Sequence, residues 1–182
     1  WGCAMRELFG EYRAPTGVNM IASSKSQTAE AQKVNERVKR LSKMLGRNLK
    51  ILLGKPGLDG HSNGAEQIAV KARDVGMEVV YEGIRLTPRQ IAESAMQEGV
   101  HVVGLSILSG SHTNLIPEVM RKMEERGIGN IPVILGGIIP QNDIPGMYSA
   151  GIKKVYTPRD FDLNKIMMEI TDVVAEANNI KM

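Results

Sequence analysis

Short apolar runs, loops and amphipathic stretches follow one another in a repeating order along most of the chain. Five apolar runs have the length of β-strands, and strands are predicted over residues 49–54, 78–82, 100–106, 132–135 and 153–156. Stretches with helical spacing follow them, over residues 64–75, 88–98, 113–126, 144–150 and 162–175. Strands that alternate with helices of about 10–15 residues form βαβ units, so this pattern predicts a parallel sheet.

The apolar runs VVGLSIL and IPVILGG are continuous rather than alternating. Such runs are typical of strands that helices cover on both faces. Five such units predict an α/β fold with a doubly wound, five-stranded parallel sheet of the flavodoxin-like (Rossmann-like) kind. Ligands in these folds bind at the carboxyl ends of the strands, so the loops there are the first place to look for function.

The first 48 residues differ from the rest of the chain in charge. They carry nine Lys/Arg against four Asp/Glu, whereas residues 49–182 carry fourteen against sixteen. Residues 27–45 predict a basic helix that packs on its neighbour, because their apolar side chains share one face. These side chains are Val34, Val38, Leu41 and Leu45. We therefore divide the chain into a basic leader with one helix (residues 1–48) and a second domain (residues 49–182).

Composition limits the classes of function. The 182 residues carry a net charge of +3 and only 4% aromatic side chains, which argues against nucleic acid as a partner. No apolar run reaches the ~18–20 residues of a membrane-spanning helix, so no membrane partner is expected. Cys3 is the only cysteine, which excludes a disulfide within the chain and favours a reducing, cytoplasmic location.

The loop after the first predicted strand carries most of the candidate chemistry. It reads KPGLDGHSNG from Lys55 to Gly64 and lacks the glycine spacing of a phosphate-binding loop. Asp59 can hydrogen-bond one imidazole nitrogen of His61 while the other nitrogen binds a metal. By itself the pair is also compatible with an ordinary strand-to-helix turn.

Two further strand ends add to this loop. Ser106-Ile-Leu-Ser-Gly110 follows the third strand, and Gly136 and Gly137 follow the fourth. Each has an ordinary structural explanation, as a cap or a tight turn. Together they bring a hydroxyl group and a bare glycine surface to the same crevice as His61.

These three elements, in this order, resemble the signature of cobalamin-binding domains in which a histidine replaces the cofactor's own base on cobalt. DGHSNG matches the family's Asp-x-His-x-x-Gly element, Ser106-Ile-Leu matches Ser-x-Leu, and the glycine pair matches Gly-Gly. The chain is most similar to the cobalamin domains of acyl-CoA carbon-skeleton mutases. FGEYRAPTGV and VYTPRDFDLNKIM resemble the ethylmalonyl-CoA mutase family, and the methylmalonyl-CoA mutase family comes next.

The resemblance implies roles for individual residues. His61 would be the lower axial ligand of cobalt, Asp59 would hydrogen-bond it, and Lys55 would continue that relay. The other implied cofactor-binding residues surround the histidine or line a slot for the displaced dimethylbenzimidazole tail. They are Gly60, Ser62, Asn63, Gly64, Ile68, Ser106, Leu108, Gly110, Gly136, Gly137 and Tyr156. Thr157-Pro-Arg-Asp160 departs from the Gly-Pro-Gly-Thr run of methylmalonyl-CoA mutases.

The resemblance also implies an activity. The chain would be the cobalamin domain of an adenosylcobalamin-dependent isomerase that rearranges the carbon skeleton of an acyl-CoA, of the ethylmalonyl-CoA/methylsuccinyl-CoA kind. A separate acyl-CoA-binding barrel domain would hold the substrate, so no catalytic residue is expected in this segment, and the full enzyme is expected to be a homodimer.

Other functions remain open on the sequence. A corrinoid-binding methyltransferase subunit or a stand-alone small mutase subunit would use the same histidine. A flavodoxin-like signalling or flavin-binding module would share only the fold. Two other histidines have simpler expectations: His101 is expected to be structural, and His112 either begins a helix or approaches the rim of the corrin ring.

Overall fold

The computed structural model describes residues 25–58, 60 and 63–181, with side chains from residue 29 onward. Residues 1–24 of the leader, together with Asp59, His61 and Ser62, lie outside the described residues. No helix in these described ranges is long and apolar enough to cross a bilayer.

Strands and helices alternate as the sequence pattern predicts. The strands are β1 (Lys50–Pro56), β2 (Glu78–Leu86), β3 (Val102–Ile107), β4 (Val133–Gly137) and β5 (Ile152–Tyr156). The helices are α1 (Lys25–Leu45), α2 (Asn63–Asp74), α3 (Pro88–Glu98), α4 (His112–Glu125), α5 (Ile144–Ser149) and α6 (Leu163–Ala177). All strand pairs are parallel, in the order β2-β1-β3-β4-β5. The predicted doubly wound, five-stranded α/β fold is confirmed.

The sheet separates two hydrophobic clusters, one on each face. Ile51 and Leu53 of β1 join the cluster under α1, α2 and α6, whereas Leu52 joins the cluster under α3, α4 and α5. Successive side chains of a strand point to opposite faces. Because both faces are covered, apolar residues are needed at every position, which accounts for the continuous apolar runs.

Helix α1 packs against α6 and completes the first cluster. Its residues Val34, Val38 and Leu41 are buried there, so the prediction that this basic helix packs on a neighbour is confirmed. At the edge of this contact, Arg37 Nε donates to Thr171 Oγ1 at 2.8 Å and a second guanidinium nitrogen pairs with Asp172. The described helix of the leader thus shares one hydrophobic cluster with the sheet.

Strands β1, β2 and β4 each run at least two residues further than predicted, and β4 includes both Gly136 and Gly137. Strand β1 continues to Pro56, so Lys55 is a wholly buried strand residue and not a loop residue. Strand β2 continues beyond Gly83, which pairs with Gly54, and reaches Leu86, which pairs with Pro56. The prediction that β2 ends near residue 82 was wrong because Gly83 forms part of an irregular register shift rather than a turn.

Candidate functional site

A cavity of about 630 Å³ opens at the carboxyl edge of the sheet, between α2 and α6. We call it the strand-end cavity. It is lined by Leu53, Gly60, Asn63, Gly64, Ala65, Gln67, Ile68, Gly104, Leu105, Ser106, Leu108, Ile134, Gly136, Gly137, Ile138, Tyr156, Thr157, Pro158, Asp160, Phe161, Leu163, Ile166 and Ile170. Its volume lies within the range of sites for small molecules and cofactors.

The strand-end cavity brings together residues from separate parts of the sequence. Nine of the residues implied by the resemblance line it: Gly60, Asn63, Gly64, Ile68, Ser106, Leu108, Gly136, Gly137 and Tyr156. All five strands run parallel, so their carboxyl ends meet at this edge, and β1, β3, β4 and β5 contribute residues to the lining. Loops far apart in the sequence therefore converge on one space.

Other implied residues lie elsewhere. Lys55 is buried behind the cavity wall, and its Nζ lies 3.3 Å from Ser106 Oγ. Gly110 is exposed in the loop between β3 and α4 and is not part of the lining. Asp59 and His61, which carry the metal hypothesis, lie outside the described residues, as does Ser62.

The paired glycines at the end of β4 differ in the space around them. A Cβ on Gly136 would meet only the Leu105 carbonyl oxygen, at 3.8 Å, so a side chain there would extend into the cavity. A Cβ on Gly137 would lie 1.8 Å from the Ile107 carbonyl oxygen. From the sequence, both glycines were predicted to form one bare surface. In the structure only Gly136 has room for a side chain.

One further glycine of the lining, Gly104, was not identified from the sequence. Gly104 lies in the middle of β3, where a Cβ would approach Leu53 Cδ2 to 2.5 Å. A glycine inside an apolar strand can mark such a close approach. The lone glycine in VVGLSIL was therefore a usable signal.

Tyr156 contributes a buried hydroxyl group to the lining. Its side chain is 8% exposed, and its Oη has no hydrogen-bond partner within the described part of the chain. Burial raises the pKa of Tyr156, and the negative charge of the nearby Glu169 raises it further. The phenol therefore stays neutral.

The turn after β5 closes one end of the cavity. Asp160 Oδ2 accepts hydrogen bonds from Thr157 N at 2.8 Å and from Thr157 Oγ1 at 3.1 Å. Asp160 N in turn donates to Thr157 O at 2.9 Å. Although this segment departs from the Gly-Pro-Gly-Thr run, its own carboxylate holds it as a closed turn.

Two described histidines lie away from the cavity lining. Lys50 N donates to His101 Nδ1 at 3.0 Å, and burial lowers the pKa of His101 to about 4. His112 begins α4, is 2% exposed, and its Nε2 lies 2.8 Å from Asp143 Oδ2 beside α5. His101 makes a structural contact, as expected, and His112 begins a helix, whereas its approach to the rim of the corrin ring stays a prediction.

Comparison with known families defines the class of protein. A family model described as "B12 binding domain" matches residues 49–156. This range contains five strand ends and the loop with Asp59 and His61. The chain belongs to the B12-binding domain family.

Individual relatives narrow the comparison. The chain is 51% identical over 174 residues to ethylmalonyl-CoA mutase from Cereibacter sphaeroides, covering 96% of this chain and 26% of that protein. It is 39% identical over 107 residues to the 2-hydroxyisobutanoyl-CoA mutase small subunit from Aquincola tertiaricarbonis, covering 59% of this chain and 79% of that subunit. The chain thus spans about a quarter of the length of the ethylmalonyl-CoA mutases that it matches.

A solved structure shares the fold. A cobalamin-binding protein from Desulfitobacterium hafniense superposes with a TM-score of 0.60 at 17% identity, covering 93% of this chain and 75% of that protein. At this level of identity the similarity concerns the fold alone.

Proposed function

We propose that this chain is the cobalamin-binding domain of an adenosylcobalamin-dependent acyl-CoA mutase, of the ethylmalonyl-CoA kind. In this proposal His61 is the lower ligand of cobalt and the displaced dimethylbenzimidazole tail occupies the strand-end cavity. The observation that carries the proposal is the meeting of three separate strand ends on one cavity, through Gly64, Ser106 and Gly136.

The residues that are present fit such a tail. Leu53, Ile68 and Ile134 supply apolar contacts for an aromatic base. Gly136 leaves open the space that a side chain would fill. The hydroxyl group of Ser106 offers a hydrogen bond to a polar atom of the tail.

In the proposal, this chain binds the cofactor and a separate domain binds the acyl-CoA. When bound, adenosylcobalamin supplies a cobalt–carbon bond whose homolysis starts radical chemistry. In the proposal, His61 holds the lower face of the cofactor and Asp59 fixes the tautomer of that imidazole. The acyl-CoA is held by a larger barrel domain, so this chain alone binds cofactor without isomerising ethylmalonyl-CoA, and the whole enzyme is a cytoplasmic homodimer.

The test is electron paramagnetic resonance of this chain loaded with Co(II) cobalamin. With nitrogen-15 histidine, the spectrum should show coupling of cobalt to one protein nitrogen, and His61→Ala should abolish that coupling. His101→Gln is the matched control, because His101 lies at the opposite edge of the sheet and should leave the coupling unchanged. A spectrum that is insensitive to labelling, or to the loss of His61, would remove the metal assignment.

One observation favours a second candidate, the stand-alone small subunit of a mutase. The chain covers 79% of the Aquincola tertiaricarbonis small subunit. The two candidates share the cofactor site and differ in how the acyl-CoA domain is attached. The coding sequence upstream of Trp1 distinguishes them: an in-frame acyl-CoA barrel supports the fused enzyme, and a separate gene for it supports the subunit.

A further inference from the structure

Lys55 and Ser106 form a buried polar contact between two neighbouring strands. Lys55 is 0% exposed, and its Nζ lies 3.3 Å from Ser106 Oγ. Strands β1 and β3 are directly paired, with Gly54 opposite Leu105, and Lys55 and Ser106 each come one residue after this pair. Ser106 also lines the strand-end cavity, whereas Lys55 does not.

The hydrogen-bonding capacities of the two side chains decide which of them is the donor. A protonated lysine has three N–H donors and no acceptor, so Ser106 Oγ is the acceptor from Lys55. A serine hydroxyl has a single hydrogen, which must then point away from the ammonium group. The open side of Ser106 is the cavity.

We propose that Lys55 is a positioning residue that turns the Ser106 hydroxyl into a hydrogen-bond donor toward the strand-end cavity, so that the site selects a bound group with an acceptor atom. The inference rests on the proposed function, in which that group is the tail of a cobamide. A benzimidazole tail displaced from cobalt has a free ring nitrogen with a lone pair, which a donor can bind. A tail built on a phenol has no ring nitrogen and offers no such acceptor.

This role differs from the one that the family resemblance implies for Lys55. A residue that only continues the relay from Asp59 to His61 would act on the cobalt end of the cofactor. Its loss would then weaken cobalamin and cobinamide, which has no benzimidazole tail, by the same factor. A residue that orients Ser106 discriminates between tails, and that discrimination is the quantity to measure.

The experiment compares three ligands on five forms of the full 182-residue chain, one of them a control. The ligands are cobalamin, a cobamide with a phenolic lower base, and cobinamide. The proteins are the parent, Ser106→Ala, Lys55→Met and the double variant. Lys50→Met is the control, because it removes a lysine from the same strand at the opposite end, where Lys50 pairs with Glu78 and Glu98.

We expect the parent to prefer cobalamin over the phenolic cobamide. Ser106→Ala should reduce that preference about 2- to 12-fold, which corresponds to one hydrogen bond. Lys55→Met should reduce it by a smaller factor, because the hydroxyl group remains but is no longer oriented toward the cavity. The double variant should match Ser106→Ala, because without the hydroxyl group Lys55 has nothing to orient. Lys50→Met should leave the preference unchanged.

Two results would overturn the inference. In the first, Lys55→Met lowers the affinity for all three ligands by the same factor. Lys55 would then act only on the cobalt end of the cofactor. The other is full additivity of the two changes. The readout is the ratio of the affinities of two ligands for one protein. A general loss of folded protein lowers both affinities and leaves that ratio unchanged. Failure of the proposed function is a separate outcome: the parent would then bind none of the three ligands.

Discussion

Gly136 and Gly137 show how one residue type meets two different requirements at adjacent positions. At Gly136 the missing side chain leaves space in the cavity, and at Gly137 it avoids the backbone of β3. The backbone of Gly137 also has a φ of 149°, in a region that favours glycine. The first glycine therefore keeps space open in the cavity, and the second allows the close packing of β4 on β3.

Substitution should separate these two requirements. Gly136→Val should keep the fold, because a Cβ there meets no atom closer than 3.8 Å. Its branched side chain should fill the space for the tail and weaken cobalamin at least about tenfold, or 1.4 kcal/mol. Binding titrations measure this effect, with circular dichroism as the check on folding.

The neighbouring residue provides the matched control. Gly137→Ala should lower the free energy of unfolding by more than about 3 kcal/mol, because its Cβ would overlap the Ile107 carbonyl group. The assignment of Gly136 to the tail would be wrong if Gly136→Val weakened cobinamide as much as cobalamin.

At the scale of elements, local signals made some boundaries predictable. Helix α3 was predicted over residues 88–98 and is observed at Pro88–Glu98. Thr87 caps its first turn by accepting from Gln90 N at 3.2 Å, and Gly99 ends it with a φ of 56°. Both signals are readable in the sequence because they act within a few residues.

Other features depended on neighbours in space. The extension of β2 to Leu86 requires the shifted pairing with β1, which no local pattern encodes. Ser106 and Gly136 were predictable as site residues, because strands of a parallel sheet end at one edge. The close approach of Leu53 to Gly104 and the closure of the Thr157 turn by Asp160 depend on three-dimensional contacts.

Helix α1 should contribute to the stability of the sheet it covers. Leu41 is 0% exposed in the cluster between α1 and the sheet. Leu41→Ala should therefore lower the free energy of unfolding by about 2–5 kcal/mol, through lost burial and a cavity. Urea unfolding followed by circular dichroism measures the change.

Met44 provides the comparison on the same helix. It is 48% exposed, so Met44→Ala should change the free energy of unfolding by no more than about 0.5 kcal/mol. Equal effects of the two substitutions would show that α1 contributes nothing specific to this cluster.

At the scale of the whole molecule, His101 makes the free energy of unfolding depend on pH. Its pKa falls from 6.5 to about 4 on folding, mainly because burial disfavours the charged ring. Between these two values the unfolded chain binds more protons than the folded one, so His101 favours unfolding increasingly as the pH drops from about 6.5 toward 4. Above 6.5 it has no such effect.

His101→Gln should remove this dependence while keeping an acceptor for Lys50 N. The free energy of unfolding of the parent, measured in urea at pH 7.5 and pH 4.5, should fall more than that of the variant. Identical decreases would mean that His101 titrates alike in the folded and unfolded chain.

The packing of α1 on α6 has a consequence for how the chain is made. Arg37 and Thr171, which join these helices, are 134 positions apart in the sequence. A ribosome releases α1 and β1 before α6, so the partner that covers Val34, Val38 and Leu41 arrives only with residues 163–177. Until then this apolar face is available to chaperones. Nascent chains that stop before residue 163 should therefore remain chaperone clients.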